Sequence, residues 1–217
     1  VMRYKEPNGQ THTARILTTS ETLEGRNTSV APSAAGIFMT THLRTPREDA
    51  ERFSRLERVG QEEIVVSIMR YLEPRLKRLS VLVIGGAPVI NADIGLGQLV
   101  PVSYFGEGFG RLLSIICAIA TIPNGTILID EIENGLHHSV LVDTWRAIAT
   151  AARLASTQVF ATTHSWECVR AAHEAFDNDI PSEFRLHRLE RVDGTVKALT
   201  YDQEALSAAI EFGLETR

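Results

Sequence analysis

Cysteine is scarce in this chain of 217 residues, with two in all, Cys117 and Cys168. Neither has metal-type spacing, and a disulfide framework needs more, so a reducing, cytoplasmic setting is the expectation. No apolar run reaches membrane-spanning length and the start is no signal peptide, which argues against a membrane protein. Lysine is nearly missing too: Lys5, Lys77 and Lys197 are the three, and arginine supplies the other cations. With 22 basic and 27 acidic residues the formal charge is -5, which excludes a broad basic surface. Arg44, Arg47, Arg52, Arg55 and Arg58 could still line up as a local phosphate-binding stripe. Glu48, Asp49, Glu51 and Glu57 lie between them, however, so a solvated helix face is the favoured reading. No internal repeat or low-complexity tract is present.

What remains is an ordinary globular composition, 44% hydrophobic and 23% charged, long enough to bury a core. Short β segments are expected in "VMRYKE", "HTARILTT" and "AGIFMTT", with Asn8-Gly9 turning the first pair into a hairpin. Glu24 to Ser33, rich in Gly, Asn, Ser and Pro, reads as a loop. The chain opens in mid-strand on Val1, and a natural N-terminus upstream is expected.

Helical periodicity begins at Pro46, with Phe53, Leu56 and Val59 on one face. Gly60 breaks the run, Ile64, Val65, Ile68, Met69 and Leu72 share a second face, and Pro74 closes it. "VLVIGG" and "QLVPVSYF" read as strands, and "FGRLLSIICAIATI" as an apolar helix. The second half alternates. "TILID" reads as a buried strand with no polar face, His138 to Leu154 as a helix with Val142, Trp145, Ile148 and Ala149 inward, and "TQVFATT" as the next buried strand. Ser165 to Phe176 reads as a helix capped by Ser165 or Thr163. "EFRLHRLE" and "TVKALTY" form a hairpin at Asp193-Gly194, and Asp202 to Phe212 a last helix. Alternating strands and helices predict an α/β layer with a largely parallel sheet.

The chemistry concentrates in "GTILIDEIENGLHH", Gly125 to His138. Acids at the carboxyl end of a parallel strand face the crevice where α/β proteins bind ligands. Two adjacent carboxylates repel unless a cation or a substrate proton answers them. Strand alternation aims Asp130 and Glu131 differently, so one can hold Mg²⁺ while the other faces a reacting water, the Walker B arrangement of nucleotide hydrolases. The following strand delivers Thr163, His164 and Ser165 to the same edge. Upstream, "YFGEGFGRLL" sets three glycines before a helix, where bare N–H groups and the macrodipole suit phosphate. His137 and His138, as sequence neighbours, are expected to point apart, which disfavours them as a metal pair.

Taken in order, "YFGEGFGRLL", "TILIDEIENGLHHSVL" and "QVFATTHSWECV" resemble the second half of an ABC-class ATPase head, in the branch of RecF, SMC and OLD-like proteins and the AAA-family ATPases of bacterial defence systems. The resemblance covers about Glu48 to Arg217. It implies a P-loop NTPase fold: a β-rich remnant of the first lobe in 1–45, a helical segment in 46–80, and a core in 81–217 that ends in a hairpin and helix, all within one N-terminally incomplete domain. It implies that Asp130 serves the Mg²⁺ shell, that Glu131 activates water and that His164 senses the γ-phosphate of ATP. Gly106, Glu107, Gly108 and Arg111 would form the signature that touches ATP on a partner subunit, and Asn134, Gly135, Leu136 and His137 the loop crossing the dimer interface.

Two departures stand out. Gly106 occupies the position where the family signature carries Ser, and no lysine follows a glycine, so the Gly-Lys-Ser/Thr turn that cradles phosphates is not in these residues. The expectation is an ATP hydrolase that closes as a homodimer around ATP, its P-loop on a preceding segment, and this chain inactive alone. DNA or a nuclease or other effector is a possible further partner. The rival readings are a non-catalytic ABC-like interaction module and, more remotely, a metal-dependent nuclease using Asp130, Glu131, Glu133 and His137.

Overall fold

A computed structural model describes residues 2–5, 11–18, 23–27, 35–41, 45–176 and 184–212. The chain divides into two compact units, Val1–Ala35 and Gly36–Arg217. The smaller is an antiparallel sheet of β1 (Met2–Lys5), β2 (Thr11–Thr18) and β3 (Leu23–Asn27) in that order. Register Lys5↔Thr11 brackets the expected Asn8-Gly9 turn, which itself lies outside the described residues. Part of the expected loop is strand instead: β3 pairs with β2 from Leu23↔Thr18 to Asn27↔Ala14. Ladder hydrogen bonds to a neighbour outweigh the poor strand propensity of Gly25 and Asn27. Positions 28–33 are outside the described residues.

The larger unit is built on a parallel sheet in the order β4-β8-β9, where β4 is Gly36–Met39, β8 Thr126–Ile129 and β9 Gln158–Ala161. Strict alternation decides which side chains are buried. Ile127 and Ile129 are buried in the core, and Ile37, Met39 and Val159 pack against it. On the other face Phe38, Leu128 and Phe160 stand in one cross-strand row. They are 52%, 43% and 48% exposed. "TILID" and "QVFATT" are therefore not buried on both faces as expected. A run of apolar residues records how greasy a strand is, not which faces are covered.

Helix α3 (Glu107–Ala120) runs through the middle of this core, with Phe109 to Ile119 all buried. Around it lie α1 (Pro46–Arg58), α2 (Glu62–Met69) and α4 (Leu141–Ala155). Pro46 occupies the first turn of α1, where its missing N–H costs nothing. Gly60 (φ +69°) separates α1 from α2, as its position in the periodicity predicts. Val59, expected inward, is the exposed C-cap of α1. Asp49 of α1 is buried and accepts a hydrogen bond from Ser114 Oγ of α3 at 2.5 Å, tying the two helices together.

Between α2 and α3 lies an antiparallel sheet of β5 (Arg78–Ile84), β6 (Ala87–Asp93) and β7 (Val100–Pro101). β6 is absent from the sequence reading, although Gly85-Gly86 makes a tight two-residue turn with both φ positive. "QLVPVSYF" is not a full strand. Pro101 has no N–H to extend the ladder, and Val102–Phe105 winds into a 3₁₀ turn. Helix α4 follows a short 3₁₀ turn at His138–Val140, so it starts later than expected. Helix α5 (Trp166–Phe176) begins as expected, with Ser165 Oγ accepting the Cys168 N–H at 3.1 Å. β10 (Leu186–Val192) and β11 (Thr195–Tyr201) make the expected hairpin, with Asp193 and Gly194 both at positive φ. Helix α6 (Gln203–Glu211) is capped by Asp202, whose carboxylate accepts the Ala205 N–H. Among the described residues no helix is long and apolar enough to cross a membrane.

Candidate functional site

The parallel ladder continues one step past the strands. Asp130 N–H donates to the Met39 carbonyl at 2.9 Å, Thr162 N–H to the Ile129 carbonyl at 2.9 Å, and Ile132 N–H to the Thr162 carbonyl at 3.0 Å. This extension brings "DE" of β8 beside "TTHS" of β9. Glu131 leaves the ladder through a left-handed conformation, φ +45°, which costs a non-glycine residue of order 1 kcal/mol or more. The turn places its backbone N–H on Thr162 Oγ1 at 2.9 Å. Thr162 Oγ1 in turn donates to Asp130 Oδ1 at 2.7 Å. One hydroxyl thus holds both acids, one by its side chain and the other by its backbone.

A second tie joins the two strand ends. Glu133 Oε1 accepts the His164 N–H at 2.9 Å, while the His164 side chain remains exposed. Below this turn, Cys168 is buried. Burial, offset in part by a hydrogen bond with Thr163, pushes its thiol up to about 11.

Arg111 is buried, and its guanidinium faces backbone. Nη1 donates to the Thr40 carbonyl at 3.2 Å, and Nη2 to the carbonyls of Asp130 at 3.0 Å and Glu131 at 3.4 Å. It spans the carboxyl ends of β4 and β8, filling acceptors left over where the ladder stops.

Gly106 caps α3 with φ +89°, and a Cβ there would meet nothing within 4 Å. Glu107 places an acid in the first turn, where the macrodipole favours it. Gly108 is a close-approach position: a Cβ would stand 3.1 Å from the Gly135 carbonyl oxygen and 3.2 Å from Leu136 Cδ2. Gly135 (φ +76°) lies equally close to Glu107 Cγ. The start of α3 and the loop after the acids, predicted separately, therefore pack on each other within one chain. Asn134 Nδ2 reaches the Thr41 carbonyl at 3.5 Å. His137 Nδ1 accepts the Ser139 N–H, and the exposed rings of His137 and His138 lie 4.0 Å apart. The two imidazoles do not point apart as expected, because the chain at that step is extended and then 3₁₀ rather than helical.

The structure thus brings together Asp130, Glu131 and His164 on one edge, and Gly106, Glu107, Gly108, Asn134, Gly135 and His137 on an adjoining ridge. Thr162 is the residue that sequence reasoning missed. The signal was a hydroxyl at the end of the strand paired with the acid strand. Asp130 Oδ2 has no partner among the described residues, so the carboxylate fits an Mg²⁺ shell. Among the described residues no three His, Cys, Asp or Glu side chains cluster as metal ligands. An Mg²⁺ site on a nucleotide needs only one or two carboxylates, because phosphates and water supply the rest.

Comparison with known proteins shows the family and the fold. The family described as "AAA domain, putative AbiEii toxin, Type IV TA system" matches residues 30–169, more than half of the chain and all of the site. A Helicobacter pylori (strain ATCC 700392 / 26695) protein named "ATP/GTP phosphatase" is 34% identical over 118 residues, covering 52% of this chain and 32% of that protein. The chain thus spans about a third of the length of that curated relative. Among solved structures, an SMC head bound to the C-winged helix domain of ScpA has TM-score 0.55 at 13% identity, covering 93% of this chain and 68% of that one. The SMC head domain from Thermotoga maritima has TM-score 0.51 at 14% identity, covering 92% and 68%. A chain from a study of ATP-driven dimerization and DNA stimulated activation of SMC ATPases has TM-score 0.51 at 13% identity, covering 76% and 99%. The chain belongs to this AAA-domain family, and its fold is the α/β fold of the ABC-class SMC ATPase heads.

Proposed function

We propose that this chain carries the hydrolytic half of an ATP site. The observation that carries the reading is the pairing of Asp130-Glu131 with the His164 turn across adjacent parallel strand ends. Asp130 offers Mg²⁺ a carboxylate oxygen with no partner among the described residues, and the ion when bound would neutralise phosphate charge. Glu131, displaced from the ladder by its turn, accepts a proton from the attacking water and orients it. His164 approaches the γ-phosphate from the next strand.

We place the phosphate cradle outside these residues. Two features support this: no Gly-Lys-Ser/Thr turn occurs in the 217 residues, and the sheet leaves Phe38, Leu128 and Phe160 half exposed where parallel sheets are normally covered. Gly106, Glu107, Gly108 and Arg111 then belong to the signature. Backbone N–H groups at the start of α3, at Gly106 and Gly108, rather than a Ser hydroxyl, meet ATP held by a second copy. Arg111 acts through the backbone it holds. Asn134, Gly135 and His137 form the loop that crosses to that copy. ATP binding closes a homodimer and hydrolysis opens it, and an effector or DNA partner takes up the motion.

Calorimetry with Mg·ATP on this chain, beside the chain with its upstream segment added, tests the reading. Binding by the longer chain alone, with Glu131→Gln keeping affinity and losing turnover by about 100-fold or more, is the expected result. Unchanged turnover in Glu131→Gln removes the base assignment. No binding by either chain favours the second reading, a non-catalytic partner module that uses the open apolar face as contact surface.

A further inference from the structure

The two acids are not aimed by their own strand alone. Glu131 has left the β8 ladder at φ +45°, so its register no longer fixes its side chain. Asp130 keeps the ladder through its N–H to Met39, but that bond leaves its carboxylate free to rotate. The group that meets both is the hydroxyl of Thr162. It donates to Asp130 Oδ1 at 2.7 Å and accepts from the Glu131 N–H at 2.9 Å. A hydroxyl offers one proton and two lone pairs, so both bonds form at once. The backbone of Thr162 is fixed to the same stretch on both sides, by its N–H to Ile129 and its carbonyl from Ile132. Two residues later the same segment presents His164.

We infer that Thr162 is a positioning residue for hydrolysis: its hydroxyl fixes the Asp130 carboxylate with Oδ2 outward and holds Glu131 in the left-handed turn that aims it at water. This rests on the reading of the two acids as a magnesium ligand and a base. Thr163, the adjacent threonine, does not share the role: its Oγ1 accepts the Ser165 N–H at 3.0 Å, inside its own turn. Thr162 is exposed, so loss of its hydroxyl acts on the local turn rather than on the core. Water can replace the lost bonds in an unreacted site, but water does not hold the two groups in one geometry.

The test compares Thr162→Val, which keeps the β-branched shape, with Thr162→Ser, which keeps the hydroxyl, in the full-length protein. Misplacement of a reacting group by about 1 Å costs on the order of 100-fold. We expect Thr162→Val to lose about 100-fold in kcat with KM for ATP within about threefold, and Thr162→Ser to recover to within about fivefold of wild type. Melting temperatures should be unchanged in both. A second measurement does not depend on turnover: in the 217-residue chain, amide exchange at Glu131 should quicken about tenfold in Thr162→Val and not in Thr162→Ser. Wild-type kcat in Thr162→Val overturns the inference, as does failure of serine to restore what valine loses. A wild-type protein that turns over no ATP sinks the ATPase reading and this role with it. Faster amide exchange would then identify the hydroxyl as a structural clasp only.

Discussion

Cys117 and Cys168 are both buried, and burial pushes both thiols up from the ordinary 9.0, Cys168 to about 11. Two units above the ordinary value mean about 100-fold less thiolate at pH 8. The folded chain should therefore resist iodoacetamide at pH 8 and label both cysteines rapidly in denaturant. Mass spectrometry of the native chain showing fast single labelling would mean that the turn above Cys168 opens. The same scale shows what a sequence can and cannot say about a site. That Asp130-Glu131 and His164 would end neighbouring strands was legible, because each closes an apolar run in alternating strands and helices. Thr162 was not, since "ATTHS" offers two threonines and only the ladder register decides which one faces the acids. Arg111 stood out in the sequence only for following the glycines before α3. Its burial against three backbone carbonyls was not legible, because those acceptors become available only where two strands end side by side.

The elements follow the same division. Long segments such as α1 and α4 were readable from their apolar spacing, and α3 from its apolar run. β3, β6 and β7 depended on a partner strand or on one proline, and periodicity carries no trace of a partner. The contact between the start of α3 and the loop after the acids is of this kind. At Gly108 alanine would gain about 1 kcal/mol of helix propensity. Its Cβ would also stand 3.1 Å from a backbone oxygen, which cannot swing aside as a side chain can. Crowding in well-packed sites typically costs about 1–3 kcal/mol, so Gly108→Ala should lose stability despite the propensity gain. Urea unfolding measures the balance, and a stabilised variant would show that the loop at Gly135 gives way.

Within the larger unit, taken whole, the parallel sheet is covered on one face and about half exposed on the other. Contiguous exposed apolar groups in a row mark a contact surface rather than a solvated one. Leu128→Thr with Phe160→Ser should therefore lower dye binding and self-association of the 217-residue chain. Its unfolding free energy should fall by no more than about 3 kcal/mol, because the two side chains are only about half buried and full burial of each is worth about 1.5–3 kcal/mol. A larger loss of stability would mean that the row is packed in solution. The α/β class and the closing hairpin were foreseeable. The uncovered face was not, since coverage belongs to neighbours and not to the strand itself.

The pairing of β4 with β8 has one more consequence. Gly36 lies against Thr126, so these strands meet only after the intervening chain has been made and folded back. Contacts between distant positions form slowly, because the entropy of closing the loop is lost before the contacts repay it. Helices α1 to α3 can assemble from nearby residues while β4 still waits for a neighbour. The acids at the end of β8 are therefore assembled among the last parts of the unit. A nascent chain does not bring the Asp130-Glu131 turn beside the His164 turn until β4, β8 and β9 have paired.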